Sequence, residues 1–160
     1  MTLEEKRRLI ELLNETHSTT REILEGVDLD LVVYKDSGWR IRDILGHIAA
    51  WDRQVVNSLS AFRVDQEYAL PDHNEAAFNK QDVLSKQDLP KGQILEEWEQ
   101  AREAFKEAVE EIPVDQFPGD VLYPWGDERG TITYLVEIMI RHDIKHRDEI
   151  LKVIQSSTAD

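Results

Sequence analysis

Apolar residues recur at intervals of three and four along four long stretches of the chain, the spacing typical of amphipathic α-helices. Thr2 and Glu5 have the spacing of a capping box before the first stretch, and Gly26 follows its last apolar turn. The pattern predicts four helices, at about residues 3–25, 39–62, 91–111 and 131–155. The chain is therefore predicted to be all-α.

Two connections between these helices are too long for tight helical hairpins. Residues 63–90 lie between the second and third helices and contain a candidate short helix capped by Asp72. Residues 113–130, before the last helix, contain three prolines. We predict one domain over residues 1–160, a four-helix bundle with crossover connections.

No strand pattern competes with the helical one. The β-branched and aromatic runs Leu31–Tyr34 and Val121–Tyr123 are too short to build a sheet of their own. These runs are therefore interpreted as parts of the connections.

Composition and charge narrow the class of function. The 160 residues include 19 Lys and Arg against 33 Asp and Glu, and no cysteine, with a formal net charge of −14. This charge argues against nucleic acid and anionic membranes as partners, because both require a basic face. Without cysteine, the chain has no disulfide, cysteine-ligated zinc or cysteine nucleophile of its own. With no long apolar run and a polar N-terminus, we expect a soluble cytoplasmic protein.

Three of the five histidines fall on apolar helical stripes. His142 and His146 are four residues apart on the stripe of the last helix, between Met139 and Ile150, and His47 lies on that of the second helix. Imidazoles one helical turn apart can bind the same ion, and three protein nitrogens leave a coordination position open, as in catalytic zinc sites. The alternative is that they are hydrogen-bonded core histidines, or that one of them lies at a helix edge.

Other catalytic patterns are missing from the sequence. Asp143 follows His142 where a His-Glu-x-x-His metalloprotease has its glutamate, and no Glu-x-x-His pair of a di-iron site is present. Gly-x-Ser-x-Gly and phosphate-binding glycine loops are also missing.

Three segments carry motifs that recur together in one protein family. Residues 38–52 contain Trp39, an Ile-x-Asp-Ile-Leu run that starts at Ile41, then His47, and Trp51 four residues later. The second segment joins the Pro-Trp-Gly loop at residues 124–126 to the His-x-x-x-His helix at residues 132–150, and the third is residues 74–79. Together they resemble the DinB-like superfamily, which includes bacillithiol S-transferase-like proteins and the N-terminal domain of mycothiol-dependent maleylpyruvate isomerase. Arg40 departs from the family's small hydroxyl cap, so Ser37 is expected to cap the second helix.

The resemblance implies a four-helix bundle that holds a divalent metal through His47, His142 and His146. Zn or Ni is the first choice of metal, Fe or Mn the second, and a low-molecular-weight thiol is a candidate cosubstrate. The family also implies a homodimer as a candidate assembly. It does not imply one reaction, because members include thiol transferases, an isomerase and hydrolase-like proteins.

The leading hypothesis is a metal-dependent enzyme acting on a small molecule, as a thiol S-transferase or a hydrolase. The alternative is a non-enzymatic module that binds or sequesters a stress metabolite or toxin, with the metal structural or absent. Candidates to line a substrate pocket are Trp51, Trp125 and His73. Asp143 and Glu149 are candidate partners for the second ring nitrogens of the histidines, and His17 is expected at a helix edge.

Overall fold

A computed structural model describes residues 1–158 of the chain. In this range the helices are α1 (Leu3–Ile23), α2 (Ile41–Arg63), α3 (Glu75–Ser85), α4 (Lys91–Glu110) and α5 (Ile132–Thr158), with a 3-10 turn at Val114–Gln116. The strands are β1 (Val32–Tyr34), β2 (Trp39–Arg40), β3 (Val121–Leu122) and β4 (Arg129–Gly130). The four long helices start and end within three residues of the predicted positions, so the predicted all-α bundle is confirmed.

The first helix is capped at its N-terminus as predicted. The Glu5 backbone N–H donates to Thr2 Oγ1 at 3.1 Å, and the Glu5 carboxylate accepts from the Thr2 backbone N–H. Lys6, one residue further, is buried, and its Nζ donates to the carbonyls of Glu110 and Ile112. Lys6 thus supplies donors to carbonyls at the C-terminus of α4, which the helix itself leaves unpaired.

The start of α2 differs from the prediction. Asp43, not Ser37, caps the helix: its Oδ2 accepts from the Arg40 backbone N–H at 2.9 Å and from Arg40 Nε at 2.9 Å. Ser37 Oγ accepts from the Trp39 backbone N–H within the preceding turn, where Gly38 has a φ of 76°. Asp43 thus supplies the reciprocal bond of a capping box, whereas the Arg40 side chain, which has no acceptor atom, caps no N–H of the first turn.

The connection between α2 and α4 contains α3, which starts two residues later than predicted. Asn74 caps it, with Oδ1 accepting from the Ala77 backbone N–H at 3.0 Å. After α3 ends, Lys86 Nζ donates to the Gly46 carbonyl of α2 at 2.9 Å and forms an ion pair with Asp82. These bonds hold the end of α3 against α2, one residue from His47.

The two short apolar runs form two separate antiparallel hairpins, β1–β2 and β3–β4, rather than plain loop. In the first, Val32 pairs with Arg40 and Tyr34 with Trp39. The second lies directly before α5. Each pairing is only two or three residues long, which is below what periodicity can detect in a sequence.

The core consists of two apolar clusters separated by buried polar side chains. One contains Leu13, Leu59, Phe105, Phe117 and Leu135, and the other Ile44, Ile94, Trp98 and Ile150. Eight of the buried polar residues lie between the two clusters, or next to their boundary, along α1, α2, α4 and α5. These residues are Thr16, His17, Thr20, His47, Asp52, Arg102, Asp143 and His146. A polar layer therefore crosses the bundle.

Across residues 1–158, no helix combines the length and apolar composition that crossing a bilayer requires.

Candidate metal centre

Three imidazoles converge where α2 faces α5. His142 Nε2 lies 3.2 Å from His47 Nε2 and 3.0 Å from His146 Nε2. One nitrogen of each ring lies within 4.8 Å of the others. We call His47, His142 and His146 the histidine cluster. The structure thus brings together the three residues that the helical stripes and the family resemblance singled out.

Local helical geometry explains the pairing on α5. His142 and His146 are separated by one turn, so their rings project side by side, at 4.4 Å between centroids. His47 comes from α2, and its ring centroid lies 5.2 Å from each of the other two. His47 is 6% exposed and His146 7%, while His142 is half-buried. The cluster is therefore largely shielded from bulk water.

Burial keeps these imidazoles uncharged. It lowers the pKa of His47 to about 3, aided by the neighbouring His142 and Lys86, and lowers the pKa of His146 to about 2, aided by the other two histidines. The pKa of His142 is also lowered, mainly by burial. Neutral imidazole is the form that binds a metal. At neutral pH the cluster therefore offers nitrogen lone pairs rather than positive charges.

Hydrogen bonding alone does not satisfy the histidine cluster. His142 Nε2 carries either one proton or one lone pair, so it can form a good hydrogen bond with only one of its two nitrogen neighbours. The other ring nitrogen, His142 Nδ1, is buried and has no partner in the described structure. A cation that accepts all three Nε2 lone pairs resolves the first conflict, and imidazole suits Zn, Ni and Fe. The donor set thus fits a divalent transition metal.

The β1–β2 hairpin contacts two of the three rings. The Tyr34 hydroxyl oxygen lies 2.7 Å from His146 Nδ1. Trp39, its partner in the hairpin, has its ring centroid 5.2 Å from that of His47. Burial and the nearby Glu149 carboxylate raise the pKa of the Tyr34 phenol above its usual range, so the phenol keeps its proton.

A second buried polar group lies on the same helices. Arg102 of α4 donates from Nε and Nη2 to both carboxylate oxygens of Asp52, at 2.9 and 3.1 Å, and its Nη2 lies 2.6 Å from Asp143 Oδ2. Its Nη1 donates to the Leu13 carbonyl at 3.1 Å. We call Asp52, Arg102 and Asp143 the arginine cluster. Burial raises the pKa of both carboxyl groups, and the Arg102 guanidinium opposes that shift.

A cavity of about 530 Å³ opens beside the histidine cluster. Its apolar wall includes three tryptophans, Trp39, Trp51 and Trp125, and its charged residues are Glu75, Glu128 and Lys145. Two of the indoles are held by hydrogen bonds: Trp51 Nε1 donates to Asn79 Oδ1 at 2.7 Å, and Trp125 Nε1 donates to Glu128 at 2.9 Å. All three histidines line the same cavity. A small molecule bound there would contact both the tryptophans and the histidine cluster.

Comparison with known proteins supports this fold. The sequence profile of the DinB superfamily matches residues 9–150. The chain belongs to the DinB superfamily. No curated protein matches its sequence at a significant level. The family resemblance identified from the sequence motifs is thus confirmed.

Two solved structures share the fold of this DinB superfamily member. One is YfiT from Bacillus subtilis, described as a probable metal-dependent hydrolase with an unusual four-helix bundle topology. It is 17% identical, with a TM-score of 0.78, and the match covers 99% of this chain and 90% of YfiT. The other is a mycothiol-dependent maleylpyruvate isomerase, 16% identical, with a TM-score of 0.74 over 94% of this chain and 61% of the isomerase. At these identities the likeness shows the fold alone.

Two of the three predicted pocket residues line the cavity, and one does not. Trp51 and Trp125 are in its wall, whereas His73 is exposed and outside it. His73 adopts a left-handed backbone with a φ of 51°, and its ring packs against Gly126, where a Cβ atom would collide with it. Helical periodicity cannot predict this position, because His73 lies in a loop whose backbone turns its ring toward Gly126.

The expected roles of three other residues also change. Asp143 is not a partner of a histidine ring, because its carboxylate binds Arg102. Glu149 Oε1 lies 3.7 Å from His146 Nδ1, beyond hydrogen-bond distance. His17 is buried, with its ring centroid 3.8 Å from that of Trp98 and Nε2 3.0 Å from Glu99 Oε2. The expectation of an edge position was wrong because Trp98 of α4 covers this side of α1.

Sequence reasoning missed several residues around the site. Tyr34 lies in a three-residue strand, and Glu75, Glu128 and Lys145 are charged residues at positions that periodicity assigns to solvent. Arg102 is four residues after Trp98 and three before Phe105, so its spacing on the apolar face of α4 was a signal of burial. The other positions carried no comparable signal.

Proposed function

We propose that this DinB superfamily member is a divalent-metal-dependent enzyme that acts on a small molecule bound in the cavity beside the histidine cluster. The observation that carries the proposal is the convergence of three neutral Nε2 atoms in a cavity wall. His47, His142 and His146 would hold the metal, with Zn or Ni as the first choice. A divalent ion there supplies a Lewis acid that favours the ionised form of a water or a thiol.

The described part of the chain supports an open site over a purely structural one. Among residues 1–158, the group of closely spaced His, Asp and Glu side chains contains only the three histidines. Structural zinc sites usually have four protein ligands, whereas catalytic sites keep one position for water or substrate. This difference favours an enzyme over a module in which the metal only stabilises the bundle.

The remaining residues of the cavity would bind and orient the substrate. Trp39, Trp51 and Trp125 offer apolar surface that excludes water, and their hydrogen bonds to Asn79 and Glu128 limit the movement of two of them. Lys145 lies near His142 and His146 and could pair with an anionic group of the substrate. Because the chain has no cysteine, any thiol in the reaction must come from a cosubstrate.

Two reaction classes follow from this arrangement, hydrolysis and S-transfer from a low-molecular-weight thiol. The description of YfiT as a probable metal-dependent hydrolase supports the first, and the mycothiol dependence of the isomerase supports the use of a thiol. We therefore propose metal-dependent chemistry, and the experiment below distinguishes water from a thiol as the nucleophile.

Elemental analysis of protein purified without added metal tests the proposal first. We expect near-stoichiometric zinc or nickel in the wild type and in the His73→Ala control, whose histidine is outside the cavity, and loss of the metal in His142→Ala. Metal-loaded protein is then assayed on ester, amide and electrophilic substrates, with and without a thiol such as cysteine or glutathione. Turnover that requires the thiol assigns S-transfer, and turnover without it assigns hydrolysis. Wild-type protein that binds no divalent ion would overturn the proposal.

A further inference from the structure

Tyr34 is the one residue of the β1–β2 hairpin whose hydroxyl reaches the histidine cluster in the described structure. Its oxygen is 2.7 Å from His146 Nδ1, although 112 residues separate the two in sequence. The ring is half-buried, between Trp39 at 6.0 Å and His146 at 6.3 Å from centroid to centroid. A hydrogen bond of this length fixes the orientation of both rings.

The two nitrogens of His146 have different tasks. Nε2 points toward His142 and would bind the metal, so the proton of the neutral ring must be on Nδ1. A buried Nδ1–H needs an acceptor, and an acceptor of this kind sets the ring tautomer and its orientation. The Tyr34 oxygen is in position to accept this hydrogen bond.

The Tyr34 proton then needs an acceptor of its own, and Glu149 is the carboxylate near enough to raise the pKa of the Tyr34 phenol. Glu149 Oε1 is buried, has no hydrogen-bond partner in the described structure, and lies 3.7 Å from the same His146 Nδ1. Glu149 is three residues after His146 on α5, so it projects to the same side of the helix. Asp143, the other carboxylate expected to partner a histidine of the cluster, is bound to Arg102.

We propose that Tyr34 is a positioning residue for the metal centre: its hydroxyl accepts the His146 Nδ1 proton, donates to Glu149, and so keeps His146 Nε2 free for the metal. The inference rests on the proposed function, because it assumes that the histidine cluster holds a metal. The proposal also assigns the β1–β2 hairpin a role in the site, because the strand pair that holds Tyr34 also places Trp39 against His47.

The test is Tyr34→Phe, which removes only the hydroxyl and keeps the ring. Two quantities are measured: the tautomer of His146 in the metal-free protein, by long-range ¹H–¹⁵N NMR spectra of the imidazoles, and Co²⁺ affinity, by competition with a chromophoric chelator. We expect wild-type His146 to carry its proton on Nδ1 and the variant to show a mixture of tautomers. Co²⁺ affinity should fall by about 10- to 100-fold, the range typical of lost partners of metal-bound histidines.

Tyr68→Phe is the matched control. Tyr68 is also partly buried and its hydroxyl bonds to Gln54, but it does not line the cavity. This variant should keep the wild-type tautomer and Co²⁺ affinity. Glu149→Gln removes the charged acceptor of the Tyr34 proton and should lower the affinity less than Tyr34→Phe does. Should Tyr34→Phe fail to fold, Glu149→Gln carries the test with the same two measurements.

The possible failures are distinguishable. Wild-type protein that binds no Co²⁺ contradicts the proposed function and this inference together. Wild-type protein that binds Co²⁺ while Tyr34→Phe has the same affinity and the same His146 tautomer overturns only the role of Tyr34. A lower affinity in both Tyr34→Phe and Tyr68→Phe would also overturn it, because the effect would then be general loosening of the fold.

Discussion

The histidine cluster and the arginine cluster both join α2 to α5 within the polar layer, at neighbouring positions on the two helices. His47 and Asp52 come from α2, and His142 and Asp143 are consecutive on α5. The arginine cluster contains a cation of its own, and Arg102 reaches both carboxylates and a carbonyl of α1. The histidine cluster contains three neutral bases whose Nε2 atoms point at one another.

This difference separates a structural polar group from a binding one. Buried charges are tolerated when they are paired and hydrogen-bonded within the protein. Bases that converge without a complementary donor leave hydrogen-bonding capacity for an outside partner. The arginine cluster is therefore interpreted as a tie between helices, and the histidine cluster as a ligand site.

Removing the guanidinium of the arginine cluster should cause the largest loss of folding stability. Arg102→Ala leaves two buried carboxylates without a partner, and breaking a buried ion pair in this way costs about 3–5 kcal/mol. Urea unfolding measures the loss. A loss below about 1 kcal/mol would show that water reaches the carboxylates and that the cluster is not a structural tie.

The same type of change in the histidine cluster should affect binding rather than folding. His142→Ala should lower Co²⁺ or Zn²⁺ affinity by more than about 100-fold, since losing a ligand exceeds the effect of losing a ligand's partner. The free energy of unfolding of the metal-free protein should change far less than in Arg102→Ala, because one unsatisfied buried nitrogen disappears with the ring. A variant that loses stability as severely as Arg102→Ala would contradict the distinction between the clusters.

The clusters should also respond oppositely to acid. The folded-state pKa values of His47 and His146, at about 3 and 2, lie below the unfolded value near 6.5, so the unfolded chain binds more protons between these limits. Each histidine therefore lowers stability as pH falls below about 6.5, by up to about 1.4 kcal/mol per pH unit. The Asp52 carboxyl, whose folded-state pKa is raised to about 6, acts in the opposite direction, adding stability as pH falls from about 6 to about 4, and the raised pKa of Asp143 has the same sign.

Replacing one histidine isolates its share of this pH dependence. Urea unfolding of the metal-free protein between pH 7 and 4 should show a shallower loss of stability in His47→Gln than in the wild type. Equal slopes would mean that His47 is protonated in the folded protein, which would contradict its interpretation as a neutral ligand.

The smallest effect is expected from an exposed counterpart of the arginine cluster. Arg8 contacts two carboxylates, Glu11 at 3.3 Å and Glu15 at 3.2 Å, as Arg102 contacts Asp52 and Asp143, but all three side chains are more than half exposed. Water and salt screen such pairs, so Arg8→Ala should leave the urea midpoint unchanged within error. A clear loss in Arg8→Ala would show that burial is not what distinguishes the two arginines.

Much of the fold follows from local rules that act over a few residues. The capping box at Thr2 and Glu5, and the helix ends near Ile23 and Glu110, depend on neighbours within one or two turns. The pairing of His142 with His146 depends only on the helical repeat. These features were predictable because the chemistry that decides them lies within the same segment.

The partners of the histidines were not predictable in this way. Tyr34 meets His146 across 112 residues, and Arg102 meets Asp52 across 50. Asp143, next to His142, was expected to serve a histidine but binds Arg102 instead. Which of several nearby polar groups pairs with which depends on how the helices and the β1–β2 hairpin pack, and periodicity contains no information about that packing.

The amino-acid sequence by itself determined the helices, their buried stripes and the set of three histidines, because helical periodicity and local capping are properties of consecutive residues. It also excluded a thiol of this chain as a reactant, because the chain has no cysteine. Only the tertiary structure decided that the three Nε2 atoms meet, that a cavity opens beside them, and that Tyr34 serves His146 while Arg102 takes Asp143. The physical reason is that hydrogen bonds and ion pairs require contact within about 3 Å, and contacts between distant segments exist only after the helices have packed.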